Sequence, residues 1–130
     1  MCKLLSGITV SLLLLLCGCA VENNHLNPND FADCLRRNDI KVDDVHPILP
    51  EQIKATSACA VRVNGSEIGV FKYDVSSNVQ RKRLERIAQT RKVYFIGMPF
   101  YAYVHGSFVF IGLEKCPQKH EVIKAIKKFK

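Results

Sequence analysis

The apolar positions of this chain follow two different periods, and three segments carry the helical one. They predict helices over about 30–38, over about 78–90, and from Cys116-Pro117 onward. Ser77 and Gln80 match a capping box, in which side chains satisfy free backbone N–H groups at a helix start. The apolar residues that share one face in each segment are Phe31, Cys34 and Leu35; Leu84, Ile87 and Ala88; and Val122, Ile123, Ile126 and Phe129.

The other period is the alternation typical of strands, and its clearest case surrounds Asn64-Gly65. This pair divides the runs 60–63 and 66–73. It favours a two-residue type I′ turn, because both central positions of that turn require positive φ. A first antiparallel hairpin is therefore predicted here.

A second hairpin is predicted near the end of the chain. His105-Gly106 predicts a tight turn between the strands 100–104 and 107–113, which follow a strand at 93–96. Strands in hairpins with helices between them predict an α+β domain of two layers, an antiparallel sheet with its helices packed on one face. The second turn would set these aromatic residues side by side across two strands: Tyr101, Tyr103, Phe108 and Phe110.

The first nineteen residues follow neither period. A basic residue precedes the apolar run 8–16, which is too short to be interpreted first as a membrane span, and Leu16-Cys17-Gly18-Cys19 closes the segment. This stretch resembles the signal of a bacterial lipoprotein precursor, with an aliphatic residue three positions before the modified cysteine and a small one directly before it. Leu16, Gly18 and Cys19 match those positions, whereas Cys17 departs from the usual Ala, Ser or Thr.

The resemblance covers residues 1–19 only, and it implies an anchor and a location. Residues 1–18 would be cleaved as a signal peptide, and Cys19 would carry a diacylglyceryl group. Two acyl chains attach a protein stably to a membrane, so the expected location is the extracytoplasmic face of the cell membrane. Residues 19–29 are rich in turn formers and predict a lipidated tether, and 30–130 then form a single domain.

The basic charge lies in two late segments. Residues 78–92 and 115–130 each carry a net charge of +5, whereas 19–77 carry −3. For a membrane-tethered protein, such faces suit an envelope protein or another anionic surface. Nucleic acid is not predicted, since no binding motif for it is present. The alternative is that the charges are solvated and the tyrosines belong to the core. The candidate contact residues are Arg81, Lys82, Arg83, Arg86, Tyr101 and Tyr103.

The sequence carries no catalytic or metal-binding motif. The histidines are not spaced with other ligands as helix-borne metal motifs require, so no metal and no cofactor is predicted. A nucleophile elbow and a phosphate loop are also missing from the sequence. Cys116, with His120 four residues on, is the best candidate for thiol chemistry, because a thiol at a helix start has a lowered pKa.

Three cysteines follow Cys19, namely Cys34, Cys59 and Cys116. In an oxidising compartment Cys34 and Cys59 are the predicted disulfide, because each lies near an element that should pack on the core. Three reduced, buried thiols are the alternative.

Taken together, these features predict a non-catalytic, membrane-anchored interaction module at the cell envelope. Two alternatives remain open. One is an exclusion or immunity lipoprotein of a mobile element, which would block a transfer system, a phage or a toxin. The other is a thiol-based activity at Cys116.

Overall fold

A computed structural model describes residues 22–130, so the predicted signal peptide and Cys19 lie outside the described residues. The strands are β1 (Asp44–Pro47), β2 (Ser57–Val63), β3 (Ser66–Lys72), β4 (Lys92–Phe95), β5 (Met98–His105) and β6 (Phe108–Ile111). The helices are α1 (Asp30–Arg37), α2 (Asn78–Thr90) and α3 (Lys119–Lys127), with short 3₁₀ turns at Pro50–Ile53 and Leu113–Lys115. Within the described part, no helix has the length and apolar character needed to cross a membrane.

The six strands form one antiparallel sheet in the order β1-β2-β3-β6-β5-β4. The predicted α+β class and the antiparallel sheet are therefore confirmed. The first hairpin is also confirmed, because Val63 pairs with Ser66 across Asn64-Gly65. The two turn residues have φ values of 53° and 80°, as a type I′ turn requires.

The second hairpin turns one residue later than predicted. His105 pairs with Phe108, so the turn residues are Gly106 and Ser107. Only Gly106 has positive φ, 59°. A third two-residue turn, at Ile96-Gly97, joins β4 to β5.

The helices divide between the two faces of the sheet, whereas the sequence predicted all of them on one face. Helices α1 and α3 cover the face that carries Val70 and Phe110, and α2 covers the face that carries Phe71 and Val109. Successive residues of a strand point to opposite faces, so the central strands are apolar on both sides. Each face therefore needs a cover, and the domain has three layers.

The predicted bounds of α2 are confirmed, and its cap is half of the predicted box. The Ser77 hydroxyl accepts the backbone N–H of Gln80 at 3.4 Å. The Gln80 side chain does not return to Ser77, because its amide donates to the Thr56 hydroxyl at 3.1 Å instead. The last helix begins at Lys119, three residues after the predicted start at Cys116.

Residues 22–29 fold onto the domain, where the sequence predicted a tether. The Asn23 side chain is 1% exposed. Its Nδ2 donates to the backbone carbonyls of His105 and Phe129 at 3.2 and 3.1 Å, and its Oδ1 accepts the N–H of Ser107 at 2.8 Å. The folded domain thus reaches back to Asn23 instead of beginning at residue 30. The amide costs little to bury, since its hydrogen bonds are satisfied.

Asn24 extends the same contact. Its Oδ1 accepts the N–H of Val75 at 3.0 Å and the Ser107 hydroxyl at 2.9 Å, and its Nδ2 donates to the Asp74 carboxylate at 3.1 Å. Hydrogen bonds from the side chain of Ser76 and from Asn24 lower the pKa of Asp74 to about 2. The carboxylate is therefore ionised at all ordinary pH values and holds Asn24 in place.

The Asn23 contacts predict a large loss of stability on truncation. Asn23→Ala removes the acceptor of the buried Ser107 N–H and one hydrogen bond from each of two carbonyls, and a buried group that loses its partner is costly. We expect urea unfolding to show the free energy of unfolding reduced by about 2–4 kcal/mol. The matched control is Asn27→Ala, at an exposed residue of the same segment, with a loss under about 0.5 kcal/mol. Equal losses for the two variants would contradict the proposed weight of the Asn23 contacts.

Candidate interaction surface

The β4–β5 hairpin exposes large apolar side chains over residues 94–101, which we call the apolar hairpin end. Five of the seven large apolar side chains exposed in the described part of the chain lie here. By the strand register, Tyr94 and Tyr101 lie on one face of the hairpin, and Met98 and Phe100 lie on the other. Exposed apolar residues concentrated in one short segment mark contacts with partners in soluble proteins. The five residues are Tyr94, Ile96, Met98, Phe100 and Tyr101.

Ile96 occupies the most unfavourable position of the hairpin. Ile96 and Gly97 have φ values of 48° and 76°, close to the 53° and 80° of Asn64 and Gly65. A β-branched residue at positive φ is an outlier, and such strain costs on the order of 1–3 kcal/mol. The Ile96 side chain is fully exposed, so no packing within the domain offsets that cost.

The apolar hairpin end lies far from the point where residue 22 joins the domain. Strand β5 begins at Met98 beside the turn and ends at His105, whose carbonyl binds Asn23. Seven steps along a strand cover about 23 Å. The two features therefore occupy opposite ends of β5.

A groove of about 340 Å³, which we call the basic groove, adjoins the hairpin on the α2 side of the sheet. Its floor is apolar and four cationic side chains surround it, with no carboxylate among the lining residues. Basic charge and apolar surface thus meet at one place. The lining residues are Gln52, Ile53, Lys54, Arg83, Arg86, Ile87, Thr90, Lys92, Val93 and Tyr94.

Two hydrogen-bonded contacts fix the walls of the basic groove. The buried Tyr73 donates its hydroxyl to the Ile53 carbonyl, which holds the 3₁₀ turn against the sheet. Burial raises the pKa of Tyr73, so the hydroxyl stays protonated and keeps donating. On the other wall, Arg83 Nη1 donates to Gln80 Oε1 at 2.9 Å, and Gln80 is itself held by Thr56. The guanidinium of Arg83 is therefore oriented before any ligand arrives.

The two predicted tyrosines lie on the other face of the sheet. Tyr103 pairs with Phe110, as predicted, and is partly buried against the core beneath α1 and α3. The predicted placement of Tyr101 is wrong: Tyr101 pairs with Lys92 and is 67% exposed. Strand β5 pairs with β6 only over residues 102–105, and its first half, residues 98–101, pairs with β4.

The structure separates the candidate residues that the sequence grouped. Arg83 and Arg86 line the basic groove, whereas Arg81 and Lys82 lie exposed on α2 and do not line it. Tyr101 and Tyr103 line a second groove of about 400 Å³ on the opposite face of the sheet. The basic helix and the tyrosines therefore do not form one surface.

Sequence reasoning missed the exposed residues of the hairpin turn. An Ile-Gly pair between two apolar runs was available as a signal, because a two-residue turn leaves both of its side chains outside the sheet. The continuous apolar run 93–96 predicts a strand that includes Ile96. In the structure β4 ends at Phe95, and Ile96 is the first turn residue.

All three described cysteines are free and buried, so the predicted disulfide between Cys34 and Cys59 is not formed. Cys34 Sγ contacts the Ala125 carbonyl at 3.4 Å instead. Burial raises the pKa of Cys34 and raises that of Cys59 to about 11. Cys116 is 5% exposed and precedes α3, so its thiol does not sit at the helix start that the proposed reactivity required.

Comparisons with protein-family models, with curated proteins and with solved structures gave no match. Within residues 22–130, no group of three or more His, Cys, Asp or Glu side chains is placed to hold a metal ion. The functional argument therefore depends on the exposed hairpin and on the groove beside it.

The two type I′ turns predict opposite effects of exchanging their first residues. Ile96→Asn removes the strain of a β-branched residue, so we expect urea unfolding to show a gain of about 1 kcal/mol. Asn64→Ile introduces the same strain in the other turn and should lose about 1–2 kcal/mol. A loss on Ile96→Asn would show that Ile96 stabilises the folded domain, against this reasoning.

The buried thiols predict slow chemical modification. Alkylation requires the thiolate, and burial both blocks access and raises the pKa of Cys34 and Cys59. We expect iodoacetamide at neutral pH to label Cys34, Cys59 and Cys116 at least about tenfold more slowly in the native protein than in urea. Cys116 labelling as fast in native protein as in urea would favour the thiol-based alternative.

Proposed function

We propose that this protein is a membrane-anchored, extracytoplasmic lipoprotein that acts as a non-catalytic interaction module. The apolar hairpin end is the proposed contact surface for a partner protein. The observation that carries this proposal is Ile96, a fully exposed apolar residue kept at a turn position where Asn would be less strained. Strain that no internal contact offsets is typical of functional positions.

The contacts of Asn23 support a close attachment to the membrane. Only three residues separate Cys19 from Asn23, so a lipid on Cys19 would lie within about 14 Å of the folded domain. Two lysines flank Phe129 in the sequence, and the Phe129 carbonyl binds Asn23. Lys130 Nζ lies 4.0 Å from the carboxylate of Glu22, and Lys128 Nζ donates to Asn38 Oδ1 at 3.3 Å. Lysines near a lipid anchor favour anionic headgroups by about 1 kcal/mol each.

The same attachment gives the apolar hairpin end an accessible position. It lies at the end of β5 opposite His105, which contacts Asn23. A partner in the envelope can therefore reach residues 94–101 without displacing the domain from the membrane that holds its anchor.

The proposal predicts that anchoring and partner contact are separable in bacterial cells that produce the protein. Cys19→Ser removes the lipid acceptor, so we expect the variant to leave the membrane fraction. A photocrosslinking residue at Ile96 should give a discrete crosslinked species, because that side chain is fully exposed at the contact surface.

The control is the same photocrosslinking residue at Asn64, the equivalent position of the other type I′ turn. We expect no discrete species from position 64. Identical crosslinks from both positions, or none from position 96, would contradict a contact at the apolar hairpin end. A Cys19→Ser variant that stays in the membrane fraction would contradict the lipid anchor.

A further inference from the structure

The basic groove lies at the free edge of the sheet. Strand β4 is the last strand of the sheet and pairs with β5 alone. Lys92, Val93 and Tyr94 all line the groove, although successive residues of a strand point to opposite faces. Residues of both faces can line one groove only where it runs along the edge of the strand. The groove therefore lies between the edge of β4, helix α2 and the 3₁₀ turn at Pro50–Ile53.

The four cations of the groove have no carboxylate to neutralise them. The ion pairs in the described part of the chain involve Arg36, His46 and Lys130, and none includes a cation of the groove. The groove cations are Lys54, Arg83, Arg86 and Lys92. They come from different elements and line one groove with an apolar floor, which favours a ligand that is both anionic and apolar.

We propose that the basic groove binds a short acidic segment of the partner protein, with one large apolar side chain inserted among Ile53, Ile87 and Val93. Carboxylates on either side of that anchor then meet the surrounding cations. The planar guanidinium groups of Arg83 and Arg86 can each donate two hydrogen bonds to one carboxylate. This inference rests on the proposed function, since it names the chemistry of the partner of the apolar hairpin end.

The groove and the apolar hairpin end share one residue. Tyr94 belongs to both, because it lines the groove and is exposed on the hairpin. A single partner can therefore cover the hairpin with an apolar patch and fill the groove with an acidic segment. Aromatic and arginine side chains at the centre of a contact supply most of the binding energy in protein interfaces.

A protein segment is favoured over an anionic lipid by the position of the groove. Its β4 residues pair with Pro99, Phe100 and Tyr101 in the first half of β5. Residue 22 joins the domain at the other end of that strand, beside His105. Headgroups of the membrane that holds the anchor therefore lie nearer to the C-terminal lysines than to the groove.

The test measures binding of a synthetic peptide to the detergent-solubilised full protein by fluorescence anisotropy. The probe is a ten-residue peptide in which Asp or Glu alternates with Leu or Phe. Its two comparison peptides replace the acids with Asn and Gln, or the apolar residues with Ser. We expect saturable binding of the first peptide and at least about fivefold weaker binding of both others, because the groove requires charge and an apolar anchor together.

Variants on one helix provide the matched control. Arg83→Gln/Arg86→Gln removes two charges that line the groove, and about fivefold to tenfold weaker binding is expected. Arg81→Gln/Lys82→Gln removes two charges from the same helix outside the groove, and binding should stay within about twofold. Equal weakening by both double variants would overturn the proposal, because it would show a general charge effect.

Two further outcomes would overturn the groove assignment while leaving the proposed function intact. One is the absence of saturable peptide binding while crosslinking from Ile96 persists. The other is binding of phosphatidylglycerol vesicles that depends on Arg83 and Arg86 when the peptide does not bind, which would assign the groove to lipid. Loss of the Ile96 crosslink would instead count against the proposed function itself.

Discussion

The buried amide of Asn23 joins three parts of the chain that are distant in sequence. Its side chain bonds the β5–β6 turn through His105 and Ser107, and it bonds the carbonyl of Phe129 near the end of α3. The turn is built around this amide, since a Cβ at Gly106 would lie 2.2 Å from Asn23 Oδ1. Glycine is therefore required at position 106 for space as well as for positive φ. The position of the N-terminal segment, and with it the distance of the domain from any lipid on Cys19, depends on these bonds.

Local signals in the sequence predicted the elements, and long-range contacts decided the rest. The Asn64-Gly65 hairpin and the bounds of α2 follow from turn chemistry and helical periodicity, which act over a few residues. Asn23 shows the opposite case. Its polar, turn-forming segment predicts a tether. The Asn23 amide is buried because it bonds residues more than 80 positions away in the sequence. The face of the sheet that each helix covers also depends on long-range contacts. Val70 and Phe71 point to opposite faces and both are apolar, so the sequence of the strand does not show which face a given helix covers.

The two type I′ turns show why part of the candidate site could not be read from propensity. Asn64-Gly65 has the residue types that type I′ turns prefer, so turn preferences predict this turn. Ile96-Gly97 has nearly the same φ values, but isoleucine is unfavourable at the first position, so turn preferences do not predict this turn. In natural proteins the residue type usually agrees with the local backbone conformation. A position where the two disagree is therefore a candidate for a functional role. The sequence pointed to α2 because charge runs are visible along the chain, and the structure adds the exposed apolar residues beside them.

The placement of the basic charge distinguishes two roles that a net charge cannot separate. The two late segments have equal net charge, yet Arg83 and Arg86 of the first line the groove at the edge of β4, and Lys128 and Lys130 of the second flank the Asn23 contact at Phe129. Screening confines exposed charges to about 8–10 Å, whereas the residues of β5 beside the groove, Pro99 to Tyr101, lie about 13–20 Å along the strand from His105. The two basic regions are therefore screened from each other. In the proposed function, the C-terminal lysines meet the membrane that holds the anchor, and the cations of the groove meet the acidic segment of a partner.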